Sequence, residues 1–378
     1  MPLYLDEEQT MLRDTARSFV ADVAPVAHMR KLRDSQDRKG WSGEVWSRFV
    51  DMGFSGIMFP EADGGLGLGA LEAGIVLEEL GRNLTPSPFL STSVAAAVAL
   101  RFASPKIQGE WAARFASGEA TAAFALEETN RHRPEHVQCE GRVEGDNIVI
   151  NGTKVSVIQG QSADLVFVSV RTHTTENPTN GLTMVAVKTD APGVTITAEP
   201  LADSSWLSEI SFNQVSVPLT SIVGEVGKAW PVISLVLDHL RTGASAELIG
   251  ISRAIAEQTV AYLKERVQFD RIIGTFQALQ HRAAIVYAEI EVAYAATLKA
   301  QQLLDAVDPR AHTSAMVAKA QAGWAATLAV QEGVQMHGGI GMTDEHDAGL
   351  FMKRARVLAT HYGHADELAD RLAVEAQF

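Results

Sequence analysis

The chain has 378 residues, 46% of them hydrophobic and 21% charged, enough to bury a large core divided over two or three domains. Its formal net charge of -14 argues against nucleic acid and against an anionic membrane surface, both of which call for a basic face. The single cysteine, Cys139, excludes an intrachain disulfide and a cysteine-rich metal site, and it fits a reducing cytoplasm.

The opening "MPLYLDEEQTMLRD" is acidic and has no apolar core, so no secretory signal is expected. In "LDEEQTMLRDTARSFV" the residues Met11, Leu12, Ala16, Phe19 and Val20 share a helical face, with Asp6 as the expected N-cap. "GALEAGIVLEELGRNL" has the same period. The glycine-rich "FPEADGGLGLG" breaks the pattern between them. "GGLGLG" follows no strand, which removes the context a dinucleotide fingerprint needs. "STSVAAAVALRFA" is too short to span a bilayer and reads as a buried helix.

From about Ala122 to Gly224 the pattern changes. "DNIVINGTKVSVI", "ADLVFVSVRT", "GLTMVAVKT", "GVTITAEP" and "ISFNQVSVPL" are rich in Val, Ile and Thr and are bounded by turn residues. Such close spacing without intervening helices predicts an antiparallel sheet or barrel. From about Pro231 long alanine-rich helices return, in "SAELIGISRAIAEQTVAYLKERVQF" and "HTSAMVAKAQAGWAATLAVQEGVQM". The expected fold class is α+β, with an N-terminal all-α domain over 1–120, a middle β domain (antiparallel barrel or sandwich) over 121–226, and a C-terminal four-helix-bundle domain over 227–378.

Two segments of the last domain carry chemistry. In "KERVQFDRIIGTFQALQHR", Arg266 and Phe269 stand one helical turn apart at a helix end, an arrangement suited to a pyrophosphate and a planar ring. In "QMHGGIGM", the Gln335 amide is followed by glycines that let a ligand approach the main chain. His361, His364 and Glu367 have helical spacing, but a solvated face is the better reading than a metal site. Hydrolase motifs are absent: there is neither a Gly-x-Ser-x-Gly elbow nor a paired His-Glu zinc motif.

Nearly end to end, the sequence resembles the acyl-CoA dehydrogenase flavoenzymes. The likeness is carried by "GIMFPEADGGLGLG", "VLEELGRNLTPSPFL", "DNIVINGTK", "FNQVSVP", "RVQFDRIIGTFQALQHR" and "QMHGGIGMTDEH". It implies a tetramer, homomeric or heteromeric, that binds FAD. It also implies that an acyl-CoA thioester loses an α proton and a β hydride, and that electrons pass to an electron-transfer flavoprotein or equivalent acceptor. By position, Arg266, Phe269, Phe276, Gln277, Gln335, Gly338 and Gly339 would reach the FAD of a neighbouring subunit, while Asp238 and Arg241 would meet the substrate.

The chain departs from the family's pattern where its base should be. A carboxylate is needed beside the substrate's α carbon, yet the two family positions hold Leu240 and Gly363. The usual ring-contacting aromatic and hydroxyl after "Gly-x-Lys" are replaced in "GTKVSVIQG" by Val155 and Ile158. The flavin loop has become "LEETNRHRPEHV", with Glu127, Glu128 and Thr129. The catalytic residue is therefore unassigned, and the expected role is that of a subunit completing a catalytic partner's site. Two alternatives are a self-sufficient dehydrogenase with a displaced base, Asp238 or Glu247, and a non-catalytic acyl-CoA-binding homologue.

Overall fold

The computed structural model describes residues 3–378. In chain order the helices are α1 (Glu7–Val23), α2 (Val26–Ser35), α3 (Gly43–Asp51), α4 (Ala70–Arg82), α5 (Ala97–Leu100), α6 (Pro105–Ala116), α7 (Trp230–Glu265), α8 (Gln277–Asp305), α9 (Ala311–His337), α10 (Ala348–Thr360) and α11 (Ala365–Glu375). The strands are β1 (Ala122–Ala125), β2 (Glu140–Glu144), β3 (Asn147–Ile158), β4 (Leu165–Arg171), β5 (Leu182–Lys188), β6 (Val194–Pro200), β7 (Trp206–Pro218), β8 (Ile222–Val223), β9 (Val267–Gln268) and β10 (Arg271–Ile272). The chain divides into two compact units, each assembled from separated segments.

One unit combines the N-terminal stretch through Lys31 with Ala70–Thr85 and Arg241–Phe378. Helix α1 begins where expected. The Asp6 carboxylate accepts the Gln9 N–H at 2.9 Å, and the Gln9 amide oxygen accepts the Asp6 N–H at 3.1 Å, a reciprocal cap that contributes about 1 kcal/mol. Ala16 and Val20 are buried, but Met11 is exposed, so the apolar stripe is narrower than the sequence spacing implies. Helices α8, α10 and α11 pack on α9. Helix α4 crosses α7 where Gly81 and Gly250 let the two main chains touch.

The histidines near the C-terminus do not share one helix. Tyr362 (φ 61°) and Gly363 (φ 108°) separate α10 from α11. His364 then caps α11, and its N–H donates to Glu367 Oε2 at 3.0 Å. Among the described residues no group of three metal-ligating side chains comes together, and no helix is long and apolar enough to cross a membrane.

The other unit comprises Leu32–Gly69 and Pro86–Leu240. Its sheet runs β6-β7-β3-β2-β4-β5-β8, with β1 added beside β4. All five β-type runs form strands. Pairing is mostly antiparallel, but β1 lies parallel to β4 from Ala122↔Leu165 to Ala125↔Val168, and β2 meets β4 in parallel at Glu140↔Arg171, so the sheet is mixed where the sequence pattern predicts an antiparallel one. Strand β1, "AAFA", escapes the sequence pattern because its four small or aromatic residues have no alternation to announce a strand. Strands β4 and β5 are buried almost throughout, whereas β6 and β7 alternate, the mark of strands with one solvated face. The segment "STSVAAAVAL" is a buried π-helical turn running into α5. Gly64–Gly69 forms a loop that leads into α4 with no strand before it.

Candidate cofactor-binding site

Helix α7 ends at Glu265, so Arg266 and Phe269 are not a helical pair. They belong to a β-hairpin in which Gln268 faces Arg271 and Val267 faces Ile272. The β-branched Val267 and Ile272 favour the extended pairing. The two turn residues, Phe269 (φ 53°) and Asp270 (φ 59°), are both left-handed, the geometry of a type I′ turn that ordinarily takes Asn-Gly. Placing phenylalanine there costs about 1–2 kcal/mol. The Phe269 ring is nevertheless 85% exposed, edge-on to Phe276 with centroids 6.2 Å apart. The Arg271 guanidinium lies 4.2 Å from the Phe276 ring and donates to the Thr275 hydroxyl. Phe276 is half-buried at the head of α8, and Arg266 and Gln277 are exposed.

The second segment closes α9. Gln335 is exposed, and its carbonyl accepts the N–H of Gly338, which adopts φ 66° and ψ -142°. That conformation is open to glycine alone. Gly339 has no such constraint, and a Cβ placed on it would meet no atom within 4 Å. Nothing in this chain requires glycine at 339, where the main chain is open to an approaching group.

The structure brings the two segments to one end of the helical unit. The Tyr262 ring, one turn before Arg266, lies 4.7 Å from the His337 ring. Arg282 on α8 meets Glu332 on α9 at 2.5 Å. Exposed aromatic, guanidinium, amide and glycine main chain thus lie at one end of the helical unit, residue types able to hold a planar ring and a phosphate.

Models of the acyl-CoA dehydrogenase N-terminal, middle and C-terminal domains match residues 6–119, 123–215 and 227–375. The chain belongs to the acyl-CoA dehydrogenase family. It is 30% identical to the probable acyl-CoA dehydrogenase YngJ of Bacillus subtilis, over 100% of this chain and 99% of that one. It is 31% identical to the acyl-CoA dehydrogenase IpdE2 of Mycobacterium tuberculosis, over 98% and 97%. The solved ChsE4-ChsE5 complex from Mycobacterium tuberculosis matches with a TM-score of 0.88 and 25% identity, over 100% of this chain and 99% of that chain. The family's enzymes are oxidoreductases acting on CH-CH groups.

For an acyl-CoA dehydrogenase, the surroundings of the base positions are unusual. Leu240 is buried on α7, flanked by His239 and Arg241 and two residues beyond Asp238; both Asp238 and Arg241 are only 3% exposed. The Arg241 Nε donates to the Tyr362 carbonyl at 3.1 Å. The His239 Nδ1 donates to the Leu235 carbonyl at 2.9 Å, and burial holds this imidazole down at about 4, hence neutral. Glu247, one of the two candidates for a displaced base, is committed to Arg354 at 2.6 Å.

Sequence reading missed Lys319, although a lone lysine among the alanines of a buried helical stripe is a visible signal. It is fully buried, and its Nζ donates to the carbonyls of Ala359 at 2.9 Å and Gly363 at 3.4 Å. Burial, reinforced by Arg241, lowers its pKa to about 7; a neutral amine has two N–H donors for those two carbonyls. Because the folded state resists the proton, the unfolded chain alone stays protonated between about 7 and its ordinary value of 10.5. Stability therefore rises with pH through that window and is lowest below it. Denaturant unfolding of Lys319→Met should lose that rise, whose full size is on the order of 5 kcal/mol. An unchanged slope would refute the assignment.

In the β unit, the loop after β1 folds onto itself. Glu127 accepts from His132 Nδ1 at 2.6 Å and from the Arg133 N–H at 2.9 Å. Glu128 accepts the N–H groups of Gln138 and Cys139 and pairs at 2.7 Å with Lys154, which is wholly buried and also donates to Ser169. Next to Lys154 the β3–β7 register slips, and Ser156 adopts φ 56°. This bulge re-aims the strand at the positions, Val155 to Ile158, where the family carries its ring contacts.

Proposed function

We propose that this chain is the subunit of a heteromeric acyl-CoA dehydrogenase that completes a catalytic partner's flavin site in trans. The observation that carries this reading is a contrast. Groups that face outward are suited to a cofactor, with Phe269 exposed in a strained turn and Gly339 opening onto free space. Groups that would serve the chain's own flavin are spent or missing: Glu127 and Glu128 are engaged within their own loop, and positions 240 and 363 hold no carboxylate.

FAD bound at this face would supply the hydride-accepting chemistry, and the partner would supply the base that removes the α proton of the acyl-CoA. Arg266 would neutralise the pyrophosphate, Phe269 and Phe276 would cover apolar ring surface, and Gln335 would donate or accept at the cofactor's polar edge. Gly338 and Gly339 let the main chain approach. Asp238 and Arg241 keep a proposed substrate role in orienting the thioester side of the site, and electrons would leave through an electron-transfer flavoprotein or an equivalent acceptor. The domain limits 1–120, 121–226 and 227–378 remain our division of the chain by composition.

A homologous partner subunit fits the exposed apolar side chains of the bundle. Ile285 and Val292 lie two turns apart on α8, Val317 and Trp324 two turns apart on α9, and all four are exposed. Large apolar groups repeated along two packed helices mark an interface with another chain. The ChsE4-ChsE5 complex, a pairing of two named components, supports such an assembly. The one cysteine, Cys139, is a buried free thiol, in keeping with the reducing cytoplasm in which we place the enzyme.

The test is the visible spectrum and native mass of the chain purified alone and after co-expression with a homologous chain from the same genome. The expected result is a colourless chain alone and a yellow tetramer with two flavins after co-expression. One FAD per chain in the isolated protein would overturn the shared-site reading.

A further inference from the structure

The turn at Gly338 is continued by a short strap, residues 343–347, whose anchor lies far away in the sequence. Arg30 on α2 donates from Nη1 to the Asp344 carbonyl at 2.7 Å and from Nε and Nη2 to Asp347 Oδ1 at 3.0 and 2.7 Å. It thus grips both ends of the strap with one planar fork. Within the strap, His346 Nδ1 accepts the Ala348 N–H at 3.1 Å and so starts α10. Its ring packs 4.2 Å from His337, which in turn meets Tyr262. On the other side the Thr343 N–H returns to the Ile340 carbonyl at 3.0 Å. The Gly338–Met342 turn is therefore held between α9 and a strap clamped by Arg30.

We propose that Arg30 is a positioning residue for the cofactor: by clamping residues 343–347 it sets the shape of the Gly338–Gly339 turn that receives FAD. The inference rests on the shared-site reading above. No residue of the N-terminal helices is otherwise assigned to the cofactor, and Arg30 acts on it only through the strap. A planar fork engaging a carbonyl and a carboxylate together is beyond an ammonium, so lysine replaces the charge without the geometry.

The clamp should also weaken in acid. Burial and the neighbouring His337 hold His346 below the ordinary histidine range, with Arg30 adding to that shift and Asp347 opposing it. Tyr262 stands behind His337 and completes the set of facing groups. The folded strap therefore prefers the neutral ring, and its stability falls as pH drops through about 6.5, where the unfolded segment takes up the proton. Protonation at Nδ1 would also remove the acceptor for Ala348.

Hydrogen exchange of the full-length chain, corrected for intrinsic rates, tests the clamp without any cofactor. Arg30→Met should speed exchange of residues 338–347 at least tenfold while leaving the middle of α9 slow, and Arg30→Lys should fall between. In the co-expressed complex, Arg30→Met should raise the Kd for FAD about tenfold or more, and wild-type FAD affinity should fall from pH 7.5 to pH 5.5. Unchanged strap exchange would overturn the proposal. So would faster exchange with unaltered FAD affinity, provided Arg266→Ala still strips the flavin. If neither Arg30→Met nor Arg266→Ala affects FAD, the shared-site reading itself is wrong.

Discussion

Gly250→Ala is expected to be the most damaging single-methyl change in the helical unit. A Cβ at Gly250 would lie 1.9 Å from the Glu78 carbonyl oxygen, 2.8 Å from its carbon and 3.0 Å from the Arg82 nitrogen, all main-chain atoms of α4. The contact is reciprocal, since a Cβ at Gly81 would sit 2.1 Å from the Glu247 carbonyl oxygen on α7. Main chain has no rotamer by which to yield, so the methyl would force the two helices apart. The ion pairs that bridge the crossing would suffer with it: Arg253 with Glu78 at 2.6 Å, and Arg82 with Glu257. Glu78 is buried and depends on Arg253, because burial already pushes its carboxyl upward. We expect a loss of about 3 kcal/mol or more, read as a fall in the thermal midpoint of roughly 6 °C or greater. Gly109→Ala and Gly349→Ala are the controls. Both are helical, a Cβ at either meets nothing within 4 Å, and alanine there should be neutral or stabilise by up to about 1 kcal/mol. A Gly250→Ala midpoint matching the controls would disprove the tight crossing.

Gly339→Leu separates folding from function in the opposite direction. The added side chain would enter open space in the isolated chain, and the residue lies outside the left-handed region that only glycine tolerates. The thermal midpoint of the chain alone should therefore stay within about 2 °C of wild type, the range of ordinary surface substitutions. In the co-expressed complex the same leucine would occupy the volume through which, on the shared-site proposal, FAD would approach the main chain. The Kd for FAD should then rise by a factor of about one hundred, equivalent to roughly 2.7 kcal/mol of binding, with a matching loss of retained flavin. Full flavin loading in the Gly339→Leu complex would show that the cofactor does not meet this turn. Gly338→Ala would not discriminate in this way, because φ 66° with ψ -142° strains any side chain whether or not a ligand is present.

Local pattern was enough for much of this molecule. Strands such as "LVFVSVR" and "LTMVAVK" announce themselves by unbroken β-branched and apolar residues, and Asp6 followed by Gln9 announces a capped helix. The ordered motifs identified the family, and the identities of residues 240 and 363 exposed the missing carboxylates without any structure. Short-range signals misled where two geometries compete over a few residues. "RVQFDR" has helical spacing and follows a long helix, yet it forms a hairpin because α7 stops at Glu265 and the left-handed pair Phe269-Asp270 reverses the chain. His361, His364 and Glu367 looked like one helical side until the Tyr362-Gly363 turn divided them.

By itself, then, the sequence determined the family, the succession of helices, strands and helices, and the loss of the usual bases, since periodicity, turn chemistry and residue identity are properties of neighbours along the chain. Tertiary structure alone decided that Glu127 and Glu128 turn inward on their own loop, that Phe269 and Gly339 face outward, that Gly81 meets Gly250, and that Arg30 grips Asp344 and Asp347 from more than three hundred residues away. Such pairings follow from which faces meet when many weak burial contributions are satisfied at once, and no single stretch of sequence holds that sum.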